Sequence, residues 1–417
     1  MALNSNIKKI NTLKIVEALK YSEPMTKSDI VRITDLTNVT VNNFINDFKS
    51  TGLVKEVGID SLTGGRNALL YQFNSKCYYT VGLVIGISEV TIGLFDFYLN
   101  PLYEKSTPLD LSSITVEQGI DNVYDFVRSS LSEMPVDIEK IVGLGVSVPG
   151  PVNYQKGVVR HLVNIPTWKN VPLKAIMEKR LEIPVFVDKD NYCNVACLRW
   201  LNPNENNDNF VYLGLVGGVG SGVVINGKVL RGQHYIFGEL GHMSVDASGE
   251  ACKCGGNGCV ELYISDKGIL KEAQERLDIS KDSDILTAET ITMDTIVQAA
   301  LDNDAMAKDI LSSKIDIFAK LFDCAIKSYD PDKIVLHSSW IHKHQNFFNE
   351  IVDKVYRQSV LIGRDELIIE LNEVQNLFLK GAATLVLDEQ FSLNNPNSVL
   401  LRRTMVNNTD ARQKAIS

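Results

Sequence analysis

One histidine and three cysteines lie close together among glycines in the middle of the chain. The stretch reads Glu239-Leu240-Gly241-His242, then Cys252-Lys253-Cys254-Gly255-Gly256-Asn257-Gly258-Cys259, then Glu261. A neutral imidazole and three thiolates form a complete donor set for tetrahedral zinc. A Cys-x-Cys pair reaches one metal only through a tight turn, and Gly255, Gly256 and Gly258 permit the positive-φ backbone such a knuckle needs. The spacing predicts a structural zinc site at His242, Cys252, Cys254 and Cys259. A catalytic zinc needs an open position, which four protein ligands do not leave. The alternative is a Gly-rich loop carrying unrelated reduced thiols. Compact Cys spacing beside a His is the metal-site pattern in an intracellular chain.

The rest of the composition suits that setting. At 417 residues the chain exceeds what one hydrophobic core serves, so two or three domains are expected. Its 45% hydrophobic and 22% charged content is that of an ordinary soluble protein. The start, Met1-Ala2-Leu3-Asn4-Ser5-Asn6, has no apolar signal core, and no run approaches the roughly 18 apolar residues of a membrane span. A cytoplasmic location with no membrane partner is expected. There Cys77, Cys193, Cys197 and Cys324 stay reduced and act as small buried hydrophobes.

A net charge of −9 excludes a protein that coats nucleic acid over its whole surface, yet residues 1–75 are slightly more basic than acidic. Their pattern says more. Ile10, Leu13, Val16 and Leu19 recur at helical spacing, and Pro24 stops that helix. Thr26, with Asp29 in the first turn, starts a second helix whose buried face is Ile30, Val31 and Ile33. After Asp35-Leu36-Thr37 a third helix runs over residues 38–50, with Val41, Phe44, Ile45 and Phe48 as its apolar stripe. Its other face carries Asn38, Thr40, Asn42, Asn43 and Asn46, side chains able to pair with base edges or phosphates. A strand from Gly52, a turn-rich tip over Gly58 to Gly65 and a returning strand from Arg66 to Phe73 complete the order of a winged helix-turn-helix. That motif places the third helix in the major groove. Arg66, at the wing beside Gly64 and Gly65, is the candidate for a minor-groove or phosphate contact.

From Tyr78 strands alternate with helices. Tyr79–Gly86 and Val90–Asp96 read as a hairpin and Glu117–Leu131 as a helix. Lys140–Gly150, Val185–Val187, Phe210–Leu215 and Lys333–Leu336 read as buried strands. Helices at Pro172–Leu181, Tyr192–Leu201 and Ala307–Tyr329 separate them. The alternation predicts an α/β body of two lobes with a cleft, over residues 76–390, followed by a polar tail at 391–417.

Several stretches stand in the order found in the ROK family (repressors, open reading frames, kinases). They are Gly64-Gly65-Arg66, Asn164-Ile165-Pro166-Thr167-Trp168, Gly218-Val219-Gly220-Ser221-Gly222, Gly238-Glu239-Leu240-Gly241-His242 and the Cys-x-Cys-Gly-x-x-Gly-Cys knuckle. The chain most resembles the branch of sugar-responsive repressors with an N-terminal winged helix. The resemblance implies an actin-like, ribonuclease-H-like two-lobed body, zinc on His242, Cys252, Cys254 and Cys259, and a sugar held by Asn164, Asp190, Glu239, His242 and Glu261. Carboxylates and amides suit a sugar because each pairs with hydroxyls and rejects analogues that leave a buried polar group unpaired. His242 can hold zinc through one ring nitrogen and a hydroxyl through the other.

Two departures bear on phosphotransfer. Family kinases end the first strand of the body in Asp-x-Gly-Gly-Thr, whose Asp helps hold the metal–nucleotide and whose glycines admit phosphate. The matching stretch here is Val84-Ile85-Gly86-Ile87-Ser88, and kinase glycines after the strand near Ile334 are Ser338-Ser339. Gly218–Gly222 reads as a Gly-rich turn between strands. Asp190 matches the kinase base, which without nucleotide transfers nothing. A third departure is Lys189 before Asp190 where Asn is usual. Its ammonium either meets an anionic ligand group or points to solvent, and solvent is the expectation. The resulting expectation is no enzyme but a DNA-binding regulator, a repressor released by a sugar or sugar derivative, acting on operator DNA as a homodimer or homotetramer. The competing readings are an active sugar kinase carrying a DNA-binding head, and an activator of the same architecture.

Overall fold

The computed structural model describes residues 10–391 apart from 12–13, 20–22, 61–67, 163–164, 203–207, 281–282, 284–285, 288 and 360–361. The chain divides into two compact units, Met1–Pro203 with Asn376–Ser417, and Asn204–Gln375. Each is built on a five-stranded sheet of the same topology.

In the first unit the central strand Tyr79–Ile85 pairs antiparallel with Glu89–Phe95, which pairs antiparallel with Pro101–Pro108. On its other side Ile141–Val148 and then Val185–Lys189 run parallel to it. In the second unit Phe210–Leu215 takes the central place. Val219–Ile225 and Lys228–Val229 continue from it antiparallel, and Lys333–Ser338 and Ile368–Leu371 lie parallel on the other side. A three-strand meander followed by two parallel strands, occurring twice, is the duplicated topology of actin-like folds. Every residue of Ile141–Val148 and Phe210–Leu215 is buried, as parallel strands covered on both faces require.

The helix Leu377–Phe391 crosses the first sheet at very close range. Gly93, Gly82 and Gly145 are register neighbours on three adjacent strands. A Cβ added at Gly82 would lie 2.3 Å from the Leu379 carbonyl oxygen, and one at Gly145 would lie 1.8 Å from that of Ala382. The helix backbone therefore rests on a stripe that only glycine can supply. On its far side Gly381 faces the backbone of Cys193 in the helix Asp190–Leu201.

The N-terminal segment belongs to this first unit. Thr26 caps the helix Lys27–Thr34 in a reciprocal capping box with Asp29, and Thr37 caps the helix Asn38–Ser50. Val41, Phe44, Ile45 and Phe48 are buried as expected. Ile33 and Ile10 are not: they are 50% and 43% exposed, and Thr34, Ile15 and Ala18 take the interior positions. The strands Val54–Asp60 and Ala68–Phe73 pair antiparallel, and Met25–Thr26 adds to the second of them. The wing tip with Arg66 lies outside the described residues. Phe73 carries the head onto the body, its ring 5.6 Å from that of Phe97 and 6.3 Å from that of Phe391. Trp200 stacks on Phe391 and donates from Nε1 to the Phe97 carbonyl at 3.1 Å.

In the second unit the long helix Ala305–Tyr329 packs with Gln345–Gln358 and Met293–Leu301 against the sheet. His337, on the strand Lys333–Ser338, lies 3.0 Å by Nδ1 from the Tyr212 hydroxyl. Burial, with the nearby His342, depresses its pKa from 6.5 to about 4. The unfolded chain thus takes up this proton before the native state does. The stability tied to neutral His337 is fully present above pH 6.5, falls as pH drops toward 4, and totals about 3 kcal/mol at about 1.4 kcal/mol per pH unit. His337→Asn, which keeps a polar group toward Tyr212, should flatten the decline of urea-unfolding free energy between pH 6.5 and 4 by about that amount.

Candidate functional site

The knuckle is built by short backbone links. Leu240–His242 forms a single 3-10 turn that presents the imidazole. The loop then folds back on itself, with the Cys252 N–H donating to the Gly256 carbonyl at 2.7 Å and the Val245 N–H donating to the Gly258 carbonyl at 2.8 Å. Gly255 has φ +94° and Gly258 φ +58°, left-handed backbone that tight reversal demands; Gly256 does not adopt it. A Cβ on Gly258 would also strike the Asp246 carbonyl at 1.8 Å.

The donor atoms of His242, Cys252, Cys254 and Cys259 all lie within 4.8 Å of one another. His242 Nδ1 is 3.6 Å from Cys252 Sγ, and the Cys254 and Cys259 sulfurs are 3.5 Å apart. A tetrahedral zinc with bonds of about 2.3 Å needs ligand separations of about 3.8 Å, so the set fits a metal ion. The thiols are poorly matched to one another without one. Burial and then the neighbouring Cys254 and Cys252 thiols push Cys259 up to about 12. The Gly256 N–H followed by the Cys259 thiol holds Cys254 below the usual thiol value. A divalent cation held by His242, Cys252, Cys254 and Cys259 would stabilise the thiolate forms.

Of the residues assigned to a sugar, Glu239 precedes and His242 ends the same 3-10 turn, both half-buried. Glu261, also half-buried, accepts from the Val219 N–H at 2.9 Å through Oε2 and so ties the knuckle's exit to the start of a strand. Asp190 opens the helix Asp190–Leu201 and accepts from the Asn191 N–H at 2.7 Å. Asn164 lies outside the described residues. Lys189 departs from expectation. It is 5% exposed rather than solvated, with Nζ 5.6 Å from the Tyr192 ring centroid. A lysine stem packs well on apolar surface, and an aromatic face attracts its charge.

The Gly218–Gly222 run is mostly strand rather than turn. Gly220 and Gly222 sit inside the strand Val219–Ile225, paired with Gly214 and Tyr212, and the turn precedes them at Gly217, φ +73°. Buried Ser221 donates to the Gly238 carbonyl, joining this strand to the segment that leads into the knuckle. Ser338 accepts from the N–H groups of Trp340 and Ile341, while Ser339 donates to Asp266 at 3.1 Å. Cys193 and Cys197 are buried, and burial holds Cys197 at about 12; Cys77 and Cys324 are only half-buried.

On the helix Asn38–Ser50 the side chains of Asn38, Asn42, Asn43 and Asn46 are exposed and that of Thr40 is half-buried. Two of them are already engaged. The Thr40 hydroxyl lies 2.9 Å from that of Thr37, and the Asn42 amide oxygen accepts from Lys27 Nζ at 2.5 Å.

The described residues combine a helix-turn-helix head with a β wing, an actin-like body and a knuckle of one histidine and three cysteines. The chain belongs to the ROK family, whose model matches residues 80–389. It is 25% identical over 386 residues to the xylose repressor of Bacillus subtilis, a match covering 92% of this chain and 96% of that one. Among solved structures it is similar to a ROK family transcriptional regulator described as a homologue of the Escherichia coli MLC protein. The TM-score is 0.78 at 22% identity, covering 96% of this chain and 99% of that one. It is also similar to a ROK family glucokinase from Streptomyces griseus solved with glucose and AMPPNP. There the TM-score is 0.62 at 22% identity, over 74% of this chain and 98% of that one. Among the described residues no helix is long and apolar enough to cross a membrane.

Proposed function

We propose that this chain is a sugar-responsive transcriptional repressor: its winged helix, residues 1–75, binds operator DNA, and its body, residues 76–390, binds a sugar or sugar derivative. The observation that carries the reading is the helix Asn38–Ser50, which turns Val41, Phe44, Ile45 and Phe48 inward and an asparagine stripe outward. The head is packed on the body through Phe73, Phe97 and Phe391. The xylose repressor named above matches this chain over nearly its full length, which favours repression over activation. The proposed setting is the cytoplasm and the proposed assembly a homodimer or homotetramer, with residues 391–417 as a tail.

Zinc is the metal that the His242, Cys252, Cys254 and Cys259 set suits best. It would supply structural rigidity alone. His242 faces the sulfurs through Nδ1, so Nε2 is the nitrogen left to meet a sugar hydroxyl, in a fixed orientation. Asn164, Asp190, Glu239 and Glu261 supply the other polar groups. The sugar acts by preferring one conformation of the protein, and the shift it produces equals its difference in affinity for the two.

Phosphotransfer is lost in this reading. Val84, in place of the kinase carboxylate, has no oxygen for a metal–nucleotide. Ser338 and Ser339 bond to Trp340, Ile341 and Asp266, which fills the place of the paired glycines. A coupled ADP-release assay over pentoses and hexoses should read background, and turnover on any of them overturns this part. For the head, Asn43→Ala should weaken binding to a selected operator about tenfold, within the roughly 1–3 kcal/mol of a good base contact, and leave random-DNA affinity unchanged. Arg66→Ala should lower affinity for both. Equal losses on both DNAs from the Asn43 change remove it from the base-reading residues.

A further inference from the structure

The exposed face of the helix Asn38–Ser50 holds one residue that does not fit a polar reading. Val39, in its first turn, is 71% exposed. The side chains that anchor this helix to the head are Val41, Phe44, Ile45 and Phe48, and Val39 is not among them. It precedes Asn42, Asn43 and Asn46 by three, four and seven residues, so all four share one outward stripe. Keeping a β-branched apolar residue there gains nothing from burial and lowers helix propensity relative to alanine.

A bound duplex supplies the missing partner. Residues in the N-terminal part of a recognition helix meet base edges in the major groove, and Val39 is the second residue of this helix. A valine offers no hydrogen bond. The apolar group presented by unmodified base edges in the major groove is the C5-methyl of thymine. Its neighbours leave it that role, since the Thr40 hydroxyl is occupied by the Thr37 cap and the Asn42 carbonyl by Lys27. We infer that Val39 reads a thymine methyl group, with the asparagines behind it reading the adjoining base pairs. This rests on the DNA-binding reading above and adds a specificity residue and the base it selects.

The test removes the methyl from either side. Full-length protein selects its preferred duplex from a random pool, and each thymine of that duplex is then replaced singly by deoxyuridine, which lacks only the methyl. At one thymine per half-site the replacement should weaken wild-type binding about fourfold, the worth of one buried methyl. Val39→Ala should weaken binding to the parent duplex by a similar factor and become insensitive to deoxyuridine at that same position. Alanine is the better helix former at an exposed site, so the variant should fold. If every deoxyuridine position affects wild type and Val39→Ala equally, or none affects wild type, the inference is wrong. If the full-length protein enriches no sequence at all, the DNA-binding reading itself falls, and this inference with it.

Discussion

Cys254→Ser is expected to empty the knuckle of metal and to open it. Cys254 is exposed, and serine differs from cysteine by one atom, so the change creates no cavity and strains no packing. What it removes is a thiolate ligand, because a hydroxyl does not ionise at neutral pH. Structural zinc supplies about 10–16 kcal/mol to the folding of small metal-held modules. The backbone links that remain, such as the Val260 N–H to the Met243 carbonyl at 2.9 Å, are a few hydrogen bonds worth about 1 kcal/mol each. Wild type should carry about one zinc per chain by elemental analysis and the variant close to none. Trypsin, which has Lys253 inside the knuckle, should cut the variant more than about tenfold faster, since cleavage follows the population of the open form. Sugar-induced thermal stabilisation should disappear with the metal, because Glu239, His242 and Glu261 all border the loop. Acid should release the metal from wild type, as protons compete for the thiolates. A metal-free variant with wild-type resistance and sugar response would show that protein contacts alone hold the knuckle.

Gly145→Val should cost the first unit its fold. The added side chain would begin 1.8 Å from the carbonyl oxygen of Ala382, a backbone atom in a helix that cannot swing aside as a side chain would. Overpacking a core with a movable neighbour costs about 1–3 kcal/mol. Here the helix Leu377–Phe391 must lift off the sheet and give up the burial of Leu379, Ala382, Ala383, Leu385 and Val386. The expected loss exceeds about 4 kcal/mol, the range reserved for gross collisions and cavities, and the protein should be insoluble or melt far below wild type. Gly58→Val is the matched control. It also adds a side chain to a strand glycine, but the first atom would meet only the Leu70 side chain, 4.0 Å from its Cδ1, so the loss should be far smaller. Equal melting temperatures for Gly145→Val and wild type would contradict the close packing of helix on sheet.

The glycine stripe shows what a single sequence conceals. Gly82, Gly93 and Gly145 each interrupt an apolar strand, the usual mark of a close backbone approach. Their alignment depends on strand order and register, which the sequence does not carry. Local signals are legible: the capping box at Thr26, the stripe Val41, Phe44, Ile45 and Phe48, and the knuckle spacing each act within a few residues. The failures have physical causes. Charge avoids burial, which puts Lys189 in water, yet it is buried with its ammonium over the Tyr192 ring. Residue type alone puts Ile33 inside, but the helix Lys27–Thr34 is short and Thr34 instead turns inward, bonding to the Ile30 carbonyl. Gly220 and Gly222 look like a turn because glycine is rare in strands; here they line an antiparallel ladder. Val39 escapes notice because a valine at helix spacing is ordinarily core. The sugar residues come from family resemblance alone, since no local pattern distinguishes a carboxylate that binds hydroxyls from one that caps a loop.

Sugar-responsive repression is tested most directly by a titration of the selected operator duplex with full-length protein, followed by fluorescence anisotropy, repeated with each of a panel of pentoses, hexoses and their phosphates. Tight binding preferred over random DNA is expected, with at least one sugar that weakens that binding reversibly, by about tenfold or more, a coupling free energy within the usual 1–3 kcal/mol. Sequence-specific binding that no sugar changes would contradict it.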